Sequence, residues 1–297
     1  MMGNTTIAWT DKTWNPIRGC SMAKGSELGG CLNCYAARMA ARNLPELKSP
    51  TTGESFARIL PSGPRWTGEV ELIENTLYSP LKWRKPQRVF VNSMSDLFHE
   101  ALPDEAIDRV FAVMALTPHI TYQVLTKRPE RMLEYIERGI DGGFKPDTNK
   151  PEHQPLPNLW LGVSCEDQTT ADARIPILLQ TPAAKRFISY EPALGPVDFT
   201  ALPSISGFGR HLDSLNNSVS DSEGCSSRLD WIIIGGESGP GARSFNIEWA
   251  RNTLKQCKAA GVACFVKQLG AKIRLKDRKG GDWLEWPQDL RVRQFPA

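Results

Sequence analysis

The sequence is poor in histidine. His99, His119, His153 and His211 are the only four in 297 residues, and all lie far along the chain from a cysteine-rich loop near the N-terminus. A zinc site closed entirely within that loop is therefore excluded. No run of about 18 apolar residues occurs, which excludes a helical membrane span. The opening segment MMGNTTIAWTDKTWNP has no basic region followed by an apolar core, so no secretory signal is expected. These absences predict a cytoplasmic protein with no membrane partner. Charge is nearly balanced, and a formal excess of +3 is too small by itself to argue for nucleic acid. The seven cysteines are odd in number and unevenly spaced, which argues against a disulfide framework in a reducing compartment. Clustered cysteines there read first as metal ligands or catalytic groups.

Short apolar runs rich in β-branched and aromatic residues are present in their place. They are RVFVNS (88–93), ITYQVLT (120–126), NLWLGVS (158–164), KRFISY (185–190), DWIIIGG (230–236) and ACFVKQ (263–268). Each fits a strand buried on both faces, and TIAWT (6–10) is a candidate seventh. Helical patterns fall between them at 34–43, 103–116, 128–139, 167–180 and 245–261, the last closed by Gly261. Strands alternating with helices of this length mean βα units and a parallel sheet. The expected fold is α/β, a parallel (β/α) partial or near-closed TIM-like barrel of six to seven units, with a doubly wound open sheet as the competitor. Polar residues recur at six successive strand ends, and in a barrel those ends share one mouth. The barrel is expected over residues 1–270. Insertions are expected at 44–87, which holds six prolines, and at the Ser-rich stretch 203–229, followed by a C-terminal extension over 271–297.

The loop itself reads RGCSMAKGSELGGCLNCYAARMA (18–40) and places Cys20, Cys31 and Cys34 in the spacing C-x10-C-x2-C. Two metal chemistries fit three thiolates. A catalytic zinc would need a distant fourth group, a histidine or Cys165 folding back, or an open position. A cubane iron–sulfur cluster held by three thiolates would leave one iron free for a small chelating ligand. Three cysteines between the first strand and first helix of a βα barrel match the layout of radical S-adenosylmethionine (SAM) enzymes. The usual spacing there is C-x3-C-x2-C, with an aromatic just before the third cysteine. Here the first gap is ten residues, Asn33 precedes the third cysteine and Tyr35 follows it.

Eight phrases in order resemble a phage-associated three-Cys-motif protein family that is regarded as radical-SAM-like. They are TxNPxxGC, GCxNCYAxRMA, VFVNSMSDLF, VLTKRPERM, LWLGVSCED, SYEPALGPVD, WIIIGGESGPGAR and FVKQLG, and they cover almost the whole chain from about residue 6 to 270. More distantly, some phrases are similar to spore photoproduct lyase, a DNA-repair radical enzyme. The resemblance implies a 4Fe-4S cluster on Cys20, Cys31 and Cys34, with SAM on the open iron. It implies one-electron cleavage of a carbon–sulfur bond to a 5′-deoxyadenosyl radical, and hence an electron donor of flavodoxin or ferredoxin type. It also implies a bacterial or phage-infected cell and, for some members, a dedicated partner protein. A nucleotide or nucleic acid is the candidate substrate. The alternative is a zinc-binding phage or host protein without redox activity, either a binding module or a zinc hydrolase.

Within that frame the strand-end residues acquire candidate roles. Tyr35, Ser93, Asp96, Ser164, Glu166, Gly235, Gly236, Glu237 and Ser238 are the expected cofactor neighbours. For Asp96 and for Glu166 or Asp167 a helix N-cap is the alternative. The glycines at 235 and 236 suit close approach of backbone to a ligand, or simply a turn-rich loop. Tyr190 and Glu191 are candidates for substrate contact, a radical relay or acid–base work, with Lys267 at the last strand end. Lys127 and Arg128 suit a phosphate-bearing substrate or start a charged helix. Arg243 binds an anion or is solvated. Cys165 is expected in packing, and His99 at the surface or in a cap. Trp14, Trp66 and Trp83 either stack bases or pack the 44–87 insertion onto the barrel.

Overall fold

The structure, a computed structural model, describes residues 5–26, 29–42, 44–139, 155–204, 211–216, 227–273 and 275–297. The seven strands of the main sheet are β1 (Lys12–Trp14), β2 (Gln87–Val91), β3 (Ile120–Thr126), β4 (Leu159–Cys165), β5 (Lys185–Tyr190), β6 (Trp231–Gly235) and β7 (Ala263–Gln268). Their spatial order is their chain order. They run parallel, with Val89 opposite Tyr122 in one defined register and Ile233 opposite Phe265 in another. Sequential parallel strands require a crossover between each pair. The principal helices that supply them are α1 (Tyr35–Ala40), α2 (Asp104–Ala115), α3 (Pro129–Arg138), α4 (Gln168–Gln180) and α5 (Ile247–Ala260). The first and last strands are the two edges of the sheet. The fold is thus the partial member of the expected class, an α/β half-barrel.

The local causes are legible. All five residues of β6, WIIIG, are buried, as a parallel strand covered on both faces requires. Helix α2 opens with Asp104 and Glu105, where the helix dipole favours acids. It buries Ile107, Val110, Phe111 and Met114 at helical spacing. Helix α4 starts from a capping box between Asp167 and Thr170 and carries Pro176 inside it. Helix α5 starts on the Asn246 side chain and stops at Gly261, which is left-handed at φ +65°, a conformation glycine adopts without steric cost.

One expected strand is misplaced. TIAWT (6–10) is not a strand, and β1 lies at 12–14 instead. The reason is polar. Asp11 accepts the backbone N–H of Arg88 at 2.8 Å and its guanidinium at 2.9 and 3.1 Å, while the Thr10 hydroxyl donates to the Arg88 carbonyl. Together with the Asp11 N–H, which donates to the Arg88 carbonyl at 3.0 Å, these bonds dock the chain on β2 at Asp11, and the ladder begins where Lys12 pairs with Val89.

The chain divides into two compact units. The first comprises Met1–Glu27, Cys34–Leu161 and Pro182–Ala184, and the second Leu28–Asn33, Gly162–Thr181 and Lys185–Ala297. In the first, the 44–87 segment forms a hairpin of Ala57–Leu60 with Gly63–Trp66, and Glu71–Leu72 pairs with Ile17–Arg18. Trp66 packs against Ala37, Ala40 and Ala57, and the buried Trp14 indole donates to the Thr76 carbonyl. In the second, the C-terminal segment adds to β7: Val266 N–H donates to Val292, and Gln294 N–H to Cys264. The Ser-rich stretch expected over 203–229 lies largely outside the described residues, as does His153. Among the described residues, no helix is long and apolar enough to cross a membrane.

Candidate functional site

In the first unit, Gly19 sets up Cys20. Its φ is +85°, and a Cβ there would stand 2.0 Å from the Glu69 carbonyl oxygen, so only glycine fits. Cys20 and Ser21 then meet a buried fork. Arg128, two residues beyond β3, directs Nη1 toward Cys20 Sγ at 4.0 Å and Nη2 to Ser21 Oγ at 2.9 Å. The same guanidinium donates to Asp96 Oδ2 at 3.0 Å and to Glu100 Oε2 at 2.7 Å. Burial opposes the charge of Arg128, but Asp96, Cys20 and Glu100 outweigh it and hold its pKa above the ordinary value.

Asp96 is buried and fully engaged. Its two oxygens accept from Phe98 N–H, Thr126 Oγ1, Lys127 N–H and Arg128. Its bond to Phe98 closes the turn that follows β2. His99 is buried rather than at the surface. Burial and then Arg128 lower its pKa, which favours the neutral ring. Its Nδ1 accepts from Ala101 N–H, so Nε2–H donates to Ser21 Oγ at 2.8 Å. Tyr35 is exposed, and its hydroxyl donates to the Ser93 carbonyl at 2.5 Å, while Ser93 Oγ donates to Asn15. Cys34 ends the loop immediately before α1.

In the second unit, two buried carboxylates grip the segment that carries Cys31. Glu166, one residue beyond β4, accepts Gly30 N–H at 3.2 Å on one oxygen and Arg174 Nη1 at 3.1 Å on the other. Arg174 also donates to the Ser164 carbonyl at 2.7 Å. Glu237, two residues beyond β6, accepts the Asn33 side-chain amide at 3.2 Å. It also accepts Arg243 at 2.7 and 2.9 Å, and Arg243 donates in turn to the Gly29 carbonyl at 3.0 Å. Burial works against ionisation of Glu237, but the bonds from Arg243 and Asn33 outweigh it and hold the carboxyl below its ordinary value. Arg243 is thus a partner of Glu237.

The remaining residues of this unit fall into separate groups. Lys267 Nζ donates to Glu191 Oε1 at 2.5 Å, joining the ends of β7 and β5. Tyr190 is fully buried, its hydroxyl donates to the Gly195 carbonyl, and burial pushes its phenol up. A Cβ on Gly236 would lie 2.6 Å from the Leu269 carbonyl oxygen, so this glycine admits the strand exit of β7. A Cβ on Gly235 would meet Glu191 Cδ at 3.4 Å. Ser164 is buried and Ser238 half-buried.

None of the six described cysteines is in a disulfide, and they fall into two classes. Cys20, Cys31 and Cys34 are partly exposed, whereas Cys165, Cys257 and Cys264 are buried. Among the described residues, no three or more His, Cys, Asp or Glu side chains gather into a metal-binding group. Three partly exposed thiols, one of them beside the fixed Arg128 guanidinium, are the donor set that a thiophilic centre would use.

The family described as "Protein of unknown function (DUF5131)" matches residues 4–286. The chain belongs to that family. No curated protein matches it. Among solved structures, a mutant of spore photoproduct lyase is similar at 11% identity and a TM-score of 0.39, over 86% of this chain. The chain spans 63% of the length of that structure.

In this DUF5131 protein, sequence reasoning passed over Arg174 and did not connect Asn33 to Glu237. Arg174 left a trace, because it is a lone cation among apolar residues in ADARIPILL (171–179), and a buried arginine needs a carboxylate. Asn33 left none, since its partners lie more than 200 residues away, at Glu237 and Gly241.

Proposed function

We propose that this protein is a radical-SAM-type enzyme, akin to the phage-associated three-Cys-motif family, with a 4Fe-4S cluster ligated by Cys20, Cys31 and Cys34. The observation that carries the reading is the division of the cysteines. The three between β1 and α1 are the accessible ones, and the other three described are buried. Accessible thiols are the ones a metal can reach. Bound there, the cluster would supply one electron to SAM and so open a carbon–sulfur bond, the electron coming from a flavodoxin- or ferredoxin-type donor.

The chain's own residues hold, orient and move protons. Glu166 holds the Gly30 backbone and Glu237 the Asn33 side chain, on either side of Cys31. Tyr35, Ser93 and Ser238 are the proposed SAM neighbours. Glu191 and Lys267, already sharing a hydrogen bond, are the proposed acid–base pair, with Tyr190 next to Glu191 as a further candidate. A nucleotide or nucleic acid is the proposed substrate class, with Lys127 as a cation for its phosphate.

Anaerobic reconstitution with iron and sulfide tests the reading. The expected protein is brown and holds about four irons per chain, as a cubane cluster requires. With dithionite and SAM it forms 5′-deoxyadenosine, and a Cys31→Ala variant does not. A colourless protein with one zinc and no 5′-deoxyadenosine overturns the proposal.

A further inference from the structure

Arg128 commits every N–H donor of its guanidinium. A guanidinium has five N–H donors in a rigid fork. Here Nε donates to Glu100 Oε2 at 2.7 Å, Nη1 to Asp96 Oδ2 at 3.0 Å and toward Cys20 Sγ at 4.0 Å, and Nη2 to Ser21 Oγ at 2.9 Å and Ser21 O at 3.4 Å. All five are thereby assigned. The fork cannot rotate without breaking several bonds at once. The side chain is 5% exposed and Asp96 8%, so little water screens the charge from the neighbouring sulfur. Neutral His99 holds Ser21 from the other side, at 2.8 Å. The backbone that carries Cys20 is thus clamped before any metal arrives.

We propose that Arg128 is a positioning and tuning residue for the iron–sulfur centre, fixing Cys20 and raising the reduction potential through its charge and its N–H directed at the sulfur. This rests on the cluster reading above. A cation beside a ligating thiolate stabilises the more negative, reduced state, and hydrogen bonds to cluster sulfurs act in the same sense. Glu100, whose side chain is 65% exposed, acts in the opposite sense. It anchors the fork and places a negative charge nearby.

The test is a redox titration, followed by electron paramagnetic resonance, of the reconstituted full-length protein and three variants. Arg128→Met is expected to lower the ratio of reduced to oxidised cluster at least tenfold at a fixed poise, a shift of about 59 mV for a one-electron couple. Arg128→Lys keeps the charge and stays close to the parent, while Glu100→Gln shifts upward. Opposite signs in the Met and Gln variants separate tuning from a merely structural role, which would move both alike. Unmoved potentials, or shifts of one sign throughout, overturn the proposal while the iron content of the parent leaves the cluster reading standing. A parent that takes up no iron overturns both. Should Arg128→Met fail to fold, an unmoved potential in Glu100→Gln overturns the proposal by itself.

Discussion

Glu166 accepts the backbone N–H of Gly30 at 3.2 Å, a bond that spans 136 residues and ends next to Cys31. The second oxygen of the same carboxylate holds Arg174, and neither side chain of that pair is more than 5% exposed. One buried ion pair therefore supports the loop that carries Cys31.

Replacing Glu166 should be costly. Glu166→Ala leaves Arg174 buried without its carboxylate, a loss of about 3–5 kcal/mol. Urea denaturation of the two proteins measures it. Arg174→Met with Glu166→Leu, which removes both charges, should cost much less than Glu166→Ala, because no buried charge is left alone.

The Glu237–Arg243 pair gives a pH signature. Its folded pKa lies below the ordinary 4.5. The stabilisation is therefore present above that ordinary value and is lost as pH falls through the lowered one. Arg243→Met should cost about 1–3 kcal/mol at neutral pH. The gap between the two unfolding free energies should narrow in acid. A gap constant from pH 7 to acid would contradict the pairing.

Gly236→Ala tests close packing of backbone. The added methyl would sit 2.6 Å from the Leu269 carbonyl oxygen and 2.9 Å from Phe245 Cβ. Overpacking of this kind costs about 1–3 kcal/mol. Gly261→Ala makes a useful contrast, since it meets nothing within 4 Å and is limited only by its φ of +65°. Thermal unfolding of both variants separates collision from backbone strain.

Three of the five tyrosines, Tyr122, Tyr135 and Tyr190, are buried with raised phenol pKa values. Burial is the main cause in each, and it pushes Tyr122 up to about 12. Stability from these neutral phenols is present below the ordinary value of 10.0 and is lost as pH rises beyond it. An alkaline absorbance titration should show the three remaining unionised at pH values where they ionise freely in denaturant.

Six of the seven sheet strands were legible in residue pattern, because strands covered on both faces read as short β-branched runs. ITYQVLT, KRFISY and ACFVKQ even begin and end where the ladder does. β1 was not, since it is three residues long and carries no pattern of its own. Its place is set by Asp11 and Thr10 holding Arg88. The partial rather than closed barrel was among the alternatives, but no single run specifies whether edge strands meet.

The cysteine loop, the parallel βα alternation and the helix caps were determined by the sequence alone, because each depends on residues within a few positions of one another. Tertiary structure decided which partners the strand-end groups take. Asp96, Glu166 and Glu237 read in sequence as cofactor neighbours, with a helix N-cap as the alternative for the first two, and in the fold their oxygens meet Arg128, Arg174, Arg243 and nearby amides. Such pairings join groups tens to hundreds of residues apart, and a buried charge is settled by whichever opposite charge the fold delivers to it, a matter on which local periodicity is silent.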